Sequence, residues 1–351
     1  AAVLGTGPAA DAYLAAFRLP NLLRRLFAEG AFNTAFIPLF AKALEQDGPE
    51  PAKLWAARIM SWLVAVVFVV TILAEIFMPW VMIPFVPGFL DDQEKFDLTV
   101  LLTRILFPYL ACMSLMAAYG AILNSLNRYF AAAFAPVILN IVNIAVLIPL
   151  VTFAVQEPES ATVWVAKATV IAGVAQLATV WWAVKRAGFL PKFQLPRIDP
   201  EVRRFWLLAL PAIITGGITQ VNLFIGTIIA SGAASAISYL YYADRLYQLP
   251  LGIIGIAIGT VLLPVLSSHL KGGRTDEARD TQEQSLLVSM LLSMPAATAL
   301  IALAVPIVRV LFERGAFGEV ATLETAEALI GFAIGLPAFV LIGVLQPGYF
   351  A

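Results

Sequence analysis

The stretch DAYLAAFRLPNLLRRLFAEGAFNTAFIPLF, residues 11–40, has the length and apolarity of a membrane helix but carries several charges. These charged residues are Asp11, Arg18, Arg24, Arg25 and Glu29. An arginine at the centre of a bilayer costs about 2.5–3.5 kcal/mol on insertion scales, whereas a leucine or phenylalanine returns only about 0.3–0.6 kcal/mol. The arginines are therefore predicted to face a bundle interior, a water-filled cavity or each other, and not lipid.

The spacing of these charges places most of them on one side of the helix. At about 100° per residue, an arc of about 40° holds Asp11, Arg18, Arg25 and Glu29. Pro20 is expected to kink the helix and to redirect Arg24, which follows it. Paired structural charges or snorkelling ends are the alternative interpretation. Because two acids cannot neutralise three arginines, we favour a functional cluster of cations.

The composition is that of a polytopic membrane protein. The chain of 351 residues is 61% hydrophobic and 13% charged, with a mean hydropathy of +0.88, whereas soluble domains carry about 25% charged residues. A single Cys112 and a single His269 leave no internal disulfide and no metal cluster, and no catalytic motif argues for an enzyme. The chain starts without Met and stops inside an apolar run, so we interpret it as a fragment cut at both ends.

The apolar segments predict an all-α bundle. Residues 1–7 are expected to be the tail of a first helix. Nine further helices are predicted over about 11–46, 53–85, 96–123, 130–155, 162–187, 205–230, 235–270, 278–311 and 319 to the end. Each reaches the roughly 20 residues that a bilayer requires.

The distribution of Lys and Arg predicts the orientation. Alternate loops hold thirteen of these residues on one side and only Lys95 and Arg314 on the other. The positive-inside rule places the rich side in the cytoplasm, and the first residue outside. The longest polar segment, about 185–204, is predicted to be a cytoplasmic linker along the membrane surface. It separates an N-lobe, residues 1–190, from a C-lobe, residues 191–351.

Short motifs recur at an offset of 226–227 residues. Arg18-Leu19 matches Arg245-Leu246, and Phe36-Ile37-Pro38-Leu39 matches Leu262-Leu263-Pro264-Val265. A repeat of six helices is parallel, and two such halves around a midplane site are typical of transporters. The eighth helix also carries buried charge, Asp244-Arg245. Because arginine grips phosphate oxygens bidentately, arginines in an apolar cavity suit an anionic head group on an apolar tail.

Three motifs resemble the MurJ (MviN) family of lipid II flippases. They are AFRLPNLLRRLFAEGAF at 16–32, preceded by AADA at 9–12; FAP at 134–136 with Leu139-Asn140; and YYADRL at 241–246. The resemblance implies the MOP exporter fold, with two six-helix lobes and a C-terminal helix pair. The chain would then run from the end of helix one through most of helix ten.

The resemblance also implies an activity. Family members flip undecaprenyl-pyrophosphate-linked disaccharide-pentapeptide, a peptidoglycan precursor, to the outer leaflet of the bacterial cytoplasmic membrane by alternating access. The expected partners are lipid II and membrane lipids, with no nucleic acid, and the protein is expected to be a monomer. Other exporters of the superfamily remain the alternative: flippases for another polyprenyl-linked glycan, or MATE-like antiporters. A MATE-like protein would carry an acidic cation site and fewer midplane arginines.

The family motif assigns expected roles to particular residues. Arg24 and Arg245 match essential cavity arginines, and Asp11 matches a functional position. Arg18 stands where relatives carry Lys. The remaining expected substrate contacts are Arg25, Glu29 and Asp244. No cofactor or metal is expected. Some family members bind sodium between helices seven and eleven, but helix eleven is absent here and the acid position of helix seven falls near Gly226. Sodium or membrane-potential coupling therefore stays an alternative that no residue of this chain supports.

The predicted orientation can be tested with a single cysteine in the linker. Lys192→Cys, in a chain with Cys112 replaced by Ala, should react with a membrane-impermeant maleimide only after the cytoplasmic side is opened. Glu94→Cys, in an opposite loop, is the control and should react from the outside. Labelling of position 192 from the outside alone would refute the orientation.

Overall fold

The computed structural model describes residues 3–25, 31–152, 158–197 and 199–350. Within these ranges every regular element is helical, as the sequence predicts. The helices are α1 Pro8–Arg24, α2 Ala31–Gln46, α3 Pro49–Phe85, α4 Gln93–Leu106, α5 Pro108–Ser125, α6 Phe130–Thr152, α7 Pro158–Arg186, α8 Pro200–Ser231, α9 Ala236–Pro250, α10 Ala257–Lys271, α11 Thr275–Ala302, α12 Ala304–Phe312 and α13 Glu319–Phe350. A 3₁₀ turn, Pro87–Phe89, precedes α4, and a π-helical stretch, Leu251–Ile256, joins α9 to α10.

Seven helical segments of the described residues are long and apolar enough to cross a membrane. They correspond to the predicted helices from the third to the tenth, apart from the seventh. Helix α8 has the predicted position of the seventh, and α1 and α2 cover the predicted second helix. The chain is thus a multi-pass membrane protein.

Several predicted helices are interrupted where the backbone loses a hydrogen bond. The predicted helix 96–123 breaks at Phe107, because Pro108 has no N–H and cannot continue the helix. The predicted helix 235–270 changes to a π-helix directly after Pro250. The predicted helix 278–311 breaks at Leu303, whose φ of −110° and ψ of 17° are not helical.

The start of the chain corrects one prediction. Residues 3–7 form turns and not the end of a helix. Gly5 lies in the left-handed region with φ of 59°, which a helix cannot accommodate.

The helices pack into two compact units. The first unit is Pro8–Ala234, and the second is Ala1–Gly7 with Ser235–Ala351. Helix α8 belongs to the first unit because it packs on α2, α3 and the 3₁₀ turn. The lobe boundary at 190/191 stays a prediction, but the packing boundary follows α8 and does not precede it.

Aromatic side chains form the core of the first unit where α2, α3 and α8 meet. Phe36 stacks between Phe32 and Phe40, with centroid distances of 4.8 and 5.5 Å. Trp55 of α3 and Phe205 of α8 close the group. Burying one such side chain contributes about 1.5–3 kcal/mol, so this cluster fixes α8 to the helices before it.

Hydrogen bonds and ion pairs hold the linker between α7 and α8 against the N-terminal part of α3. The backbone N–H of Gln194 donates to the Ser61 hydroxyl at 2.9 Å. The Trp62 indole donates to the Arg197 carbonyl at 2.9 Å. Arg58 forms ion pairs with Asp199 and Glu201, at 3.2 and 3.0 Å. The linker therefore has a defined path, although the side of the membrane on which it lies stays a prediction.

Glycines allow close helix contacts in the second unit. A Cβ added to Gly259 of α10 would lie 2.8 Å from the carbonyl oxygen of Gly343 of α13. Gly255, in the π-helical stretch, packs against Val340 of α13. Small residues at such contacts are the usual way in which membrane helices approach closely.

A tighter contact in the first unit yields a stability prediction. A Cβ on Gly88 would overlap the backbone of Ser231 and Gly232 at the end of α8. Gly88→Ala should therefore lower the free energy of unfolding by about 1–3 kcal/mol, the usual cost of overpacking. Gly226→Ala is the matched control, since nothing lies within 4 Å of a Cβ there. Thermal unfolding in detergent measures both, and equal stability of the two variants would contradict the contact.

Candidate functional site

Arg18 lies half-buried in the middle of α1 and points into the first unit. Its Nη1 donates to the Thr227 hydroxyl of α8 at 3.1 Å. Thr227 is 1% exposed and donates in turn to the Leu223 carbonyl at 2.8 Å. The arginine is held by protein groups, as the cost of lipid exposure requires.

Arg24 occupies the last turn of α1. Its Nε donates to the Asn21 side-chain oxygen at 3.0 Å, which fixes the stem of the guanidinium. A cation in this place is favoured by the partial negative charge of the helix C-terminus. Arg25, the next residue, is exposed. Glu29 falls in 26–30, outside the described residues.

Asp11 pairs with a lysine of another helix, and its expected role at the substrate site stays a prediction. Its side chain is completely buried, and its Oδ2 lies 2.9 Å from Nζ of Lys95 on α4. Lys95 is itself 9% exposed and sits 3.8 Å above the centre of the Phe89 ring. Two nearly buried charges thus neutralise each other and join the first turns of α1 and α4. This geometry makes Asp11 a residue that positions α1.

The two predicted residues of the second unit lie next to each other on α9. Arg245 is exposed and places its guanidinium 4.8 Å from the centre of the Tyr241 ring. Such a contact contributes about 0.5–1 kcal/mol at an exposed site, and it leaves the N–H groups at the guanidinium edge available. Asp244 accepts a hydrogen bond from the Gln248 side chain. It therefore orients its own helix turn.

The structure brings some of the predicted residues together and separates others. Asp11, Arg18 and Arg24 share α1, and Arg25 directly follows it, whereas Asp244 and Arg245 share α9. A cavity that joins Arg245 to the arginines of α1 stays a prediction. The arginines on both helices can donate side-chain N–H groups to an anion. Among the described residues, no three of the His, Cys, Asp and Glu side chains come together as a metal site.

Sequence reasoning missed three residues of the first unit. Lys95 was counted only as a loop cation, although a lone lysine among four acids at 91–97 was a signal of pairing. Thr227 gave no signal. Glu75, a carboxyl within the apolar part of α3, was visible as the single charge between residues 59 and 85.

Comparison with known proteins gives one consistent result. The family model described as "Lipid II flippase MurJ" matches residues 1–351. The "Probable lipid II flippase MurJ" of Rhizobium meliloti (strain 1021) is 51% identical over 352 residues, which cover 100% of this chain and 66% of the relative. The chain thus spans slightly less than two thirds of that relative's length.

Solved structures agree with the sequence comparisons. A structure titled "Lipid II flippase MurJ, inward closed conformation" superposes with a TM-score of 0.82 at 26% identity, covering 99% of this chain and 72% of that one. An inward-facing MATE multidrug transporter of the MOP superfamily gives 0.77 at 14% identity, covering 98% and 78%. The second likeness shows a shared fold alone.

The Asp11–Lys95 pair yields a prediction that separates positioning from binding. Asp11→Asn leaves a nearly buried ammonium without its counter-ion, so the free energy of unfolding should fall by about 3–5 kcal/mol. The double variant Asp11→Leu with Lys95→Met should lose much less, because neither charge then remains. Thermal unfolding measures all variants, with Glu94→Gln as the exposed control on α4. An Asp11→Asn protein as stable as wild type would contradict the positioning role.

Proposed function

The chain belongs to the lipid II flippase MurJ family, and on this basis we propose that it moves lipid II across the bacterial cytoplasmic membrane. In the proposal, the undecaprenyl-pyrophosphate-linked precursor passes from the inner to the outer leaflet by alternating access. The protein acts as a monomer and as a transporter, and no covalent step or cofactor takes part. The observation that carries the proposal is the family match over all 351 residues.

The chemistry of the substrate explains why arginines are retained in the membrane. A pyrophosphate carries several negative oxygens, and its transfer through hydrocarbon is prohibitive unless protein donors replace water. Guanidinium groups provide paired donors at the spacing of phosphate oxygens. The proposal therefore assigns pyrophosphate contacts to Arg24 and Arg245, supported by Arg18 and Arg25.

The structure supports this division of roles through the contacts of each side chain. Arg24 is held at Nε by Asn21, which orients its guanidinium. Arg245 lies 4.8 Å from the centre of the Tyr241 ring and is exposed, so an anion can reach it. Asp11 is occupied by Lys95 and fixes the helix that carries Arg18 and Arg24. Asp244 is occupied by Gln248 and steadies the turn before Arg245.

Substitution of the arginines tests the proposal. Lysine keeps the charge but loses the paired donors, so Arg24→Lys should impair transport and Arg24→Ala should abolish it. Arg245→Ala should also abolish transport. Each variant is introduced into the complete gene that encodes this chain and scored by growth of cells depleted of their native flippase, with membrane levels checked by blot. All variants should insert normally, since the alanine variants remove a cation and so lower the insertion cost, and Arg24→Lys leaves the charge unchanged.

The matched control is Arg128→Ala, which removes an exposed arginine between α5 and α6. It should support normal growth. Normal growth with Arg24→Ala and Arg245→Ala combined would remove the support for a phosphate clamp. Better growth with Arg24→Ala than with Arg24→Lys would indicate a packing role instead.

A further inference from the structure

Glu75 lies deep in the apolar part of α3. It is ten residues before the end of the helix at Phe85, which at about 1.5 Å per residue is about 15 Å along the axis. A membrane span that ends at Phe85 would place Glu75 near the middle of the roughly 30 Å hydrocarbon core. An ionisable residue at such a depth is a functional-site hypothesis in its own right.

The carboxyl group of Glu75 lacks the compensation that Asp11 has. Its Oε1 is buried and accepts no hydrogen bond from any described residue. The hydroxyl of Thr71, one turn earlier, donates to the Val67 carbonyl at 2.7 Å and not to Glu75. No ion pair joins Glu75 to a cation in the described ranges, although the field of Arg104 on α4 reaches it.

The helices packed around α3 bring few other charges to this depth. Helix α5 contains no charged residue at all. Helix α2 has Lys42 and Glu45 only in its last turns, and α8 has its charges in its first turn and a half, before Phe205. On α4 the nearby charge is Arg104, which is exposed. Among the described residues, Arg104 is the cation whose charge favours a negative Glu75.

Glu75 also adjoins a bend in its helix. Phe77 has a non-helical φ of −98° and ψ of 16°. Pro79 has no N–H, so the carbonyl of Glu75 itself loses its normal helical donor. The side chain and the main-chain carbonyl of one residue thus both lie at the point where α3 changes direction.

We propose that Glu75 is a proton-binding site within the membrane, and that its protonation state sets the bend of α3. A proton satisfies a single orphan oxygen by turning the carboxylate into a neutral acid that can donate to a free carbonyl. A metal ion requires several oxygen ligands, and the described residues form no such group. The ligand is accordingly a proton.

The site has a consequence for transport that rests on the proposed function. In a protein that works by alternating access, a proton site on a bending helix links proton binding to the conformational cycle. The site itself does not require that function. Its test therefore uses readouts in which no lipid substrate takes part.

Infrared difference spectroscopy of the full chain in lipid bilayers tests the site. Because other carboxyl groups also protonate at acid pH, the site is identified by subtraction: the wild-type protein should show one protonated-carboxyl band that is missing from Glu75→Gln. Glu75→Asp keeps an acid and should keep the band at a shifted position. Glu94→Gln, an exposed control, should retain it unchanged. A band that survives in Glu75→Gln, or that responds to sodium at constant pH, would overturn the proton site.

Spin-label distances test the link to the bend. Labels at Leu54→Cys and Ile83→Cys, both exposed on α3, span Phe77 in a Cys112→Ala background. Their separation should change with pH in the protein with Glu75 and stay constant in Glu75→Gln. A separation that ignores pH in both, or that changes equally in both, would overturn the coupling.

Discussion

The structure depends on the cost of placing a charge in hydrocarbon without a partner. Three predicted site charges of the first unit are stabilised by different protein partners. Asp11 is neutralised by Lys95, Arg18 is held by Thr227, and Arg24 is held by Asn21 at a helix end. A guanidinium carries five N–H donors and a carboxylate carries none, which favours the arginines over the acid as anion ligands.

The fold could be predicted largely from the sequence because hydropathy and proline act locally. Membrane helices are set by the apolar length of a segment, and Pro108 marks a break because it lacks an N–H. The break at Leu303 is marked in the same way, because Pro306 has no N–H and leaves the carbonyl of Ala302 without its helical donor. The packing of α8 with the first unit was hidden, because aromatic contacts such as Phe32 with Phe205 join residues far apart in the chain.

The site was predicted less completely for the same reason. The arginines of α1 were recognisable, since their cost in a membrane follows from composition alone. Their partners were not, because Lys95 lies 84 residues from Asp11 and Thr227 lies 209 residues from Arg18. A helical projection predicted that Asp11 shares a face with Arg18, but it could not show that a lysine of another helix would occupy that carboxylate.

Asp11 and Glu75 show how one side-chain chemistry serves two roles. Both are carboxyl groups on helices of the first unit. Asp11 has a counter-ion at 2.9 Å, and this pair joins α1 to α4. Glu75 has an orphan oxygen beside a bend, so its charged and neutral forms prefer different surroundings. A paired charge fixes a structure, whereas an unpaired one makes the structure respond to the proton.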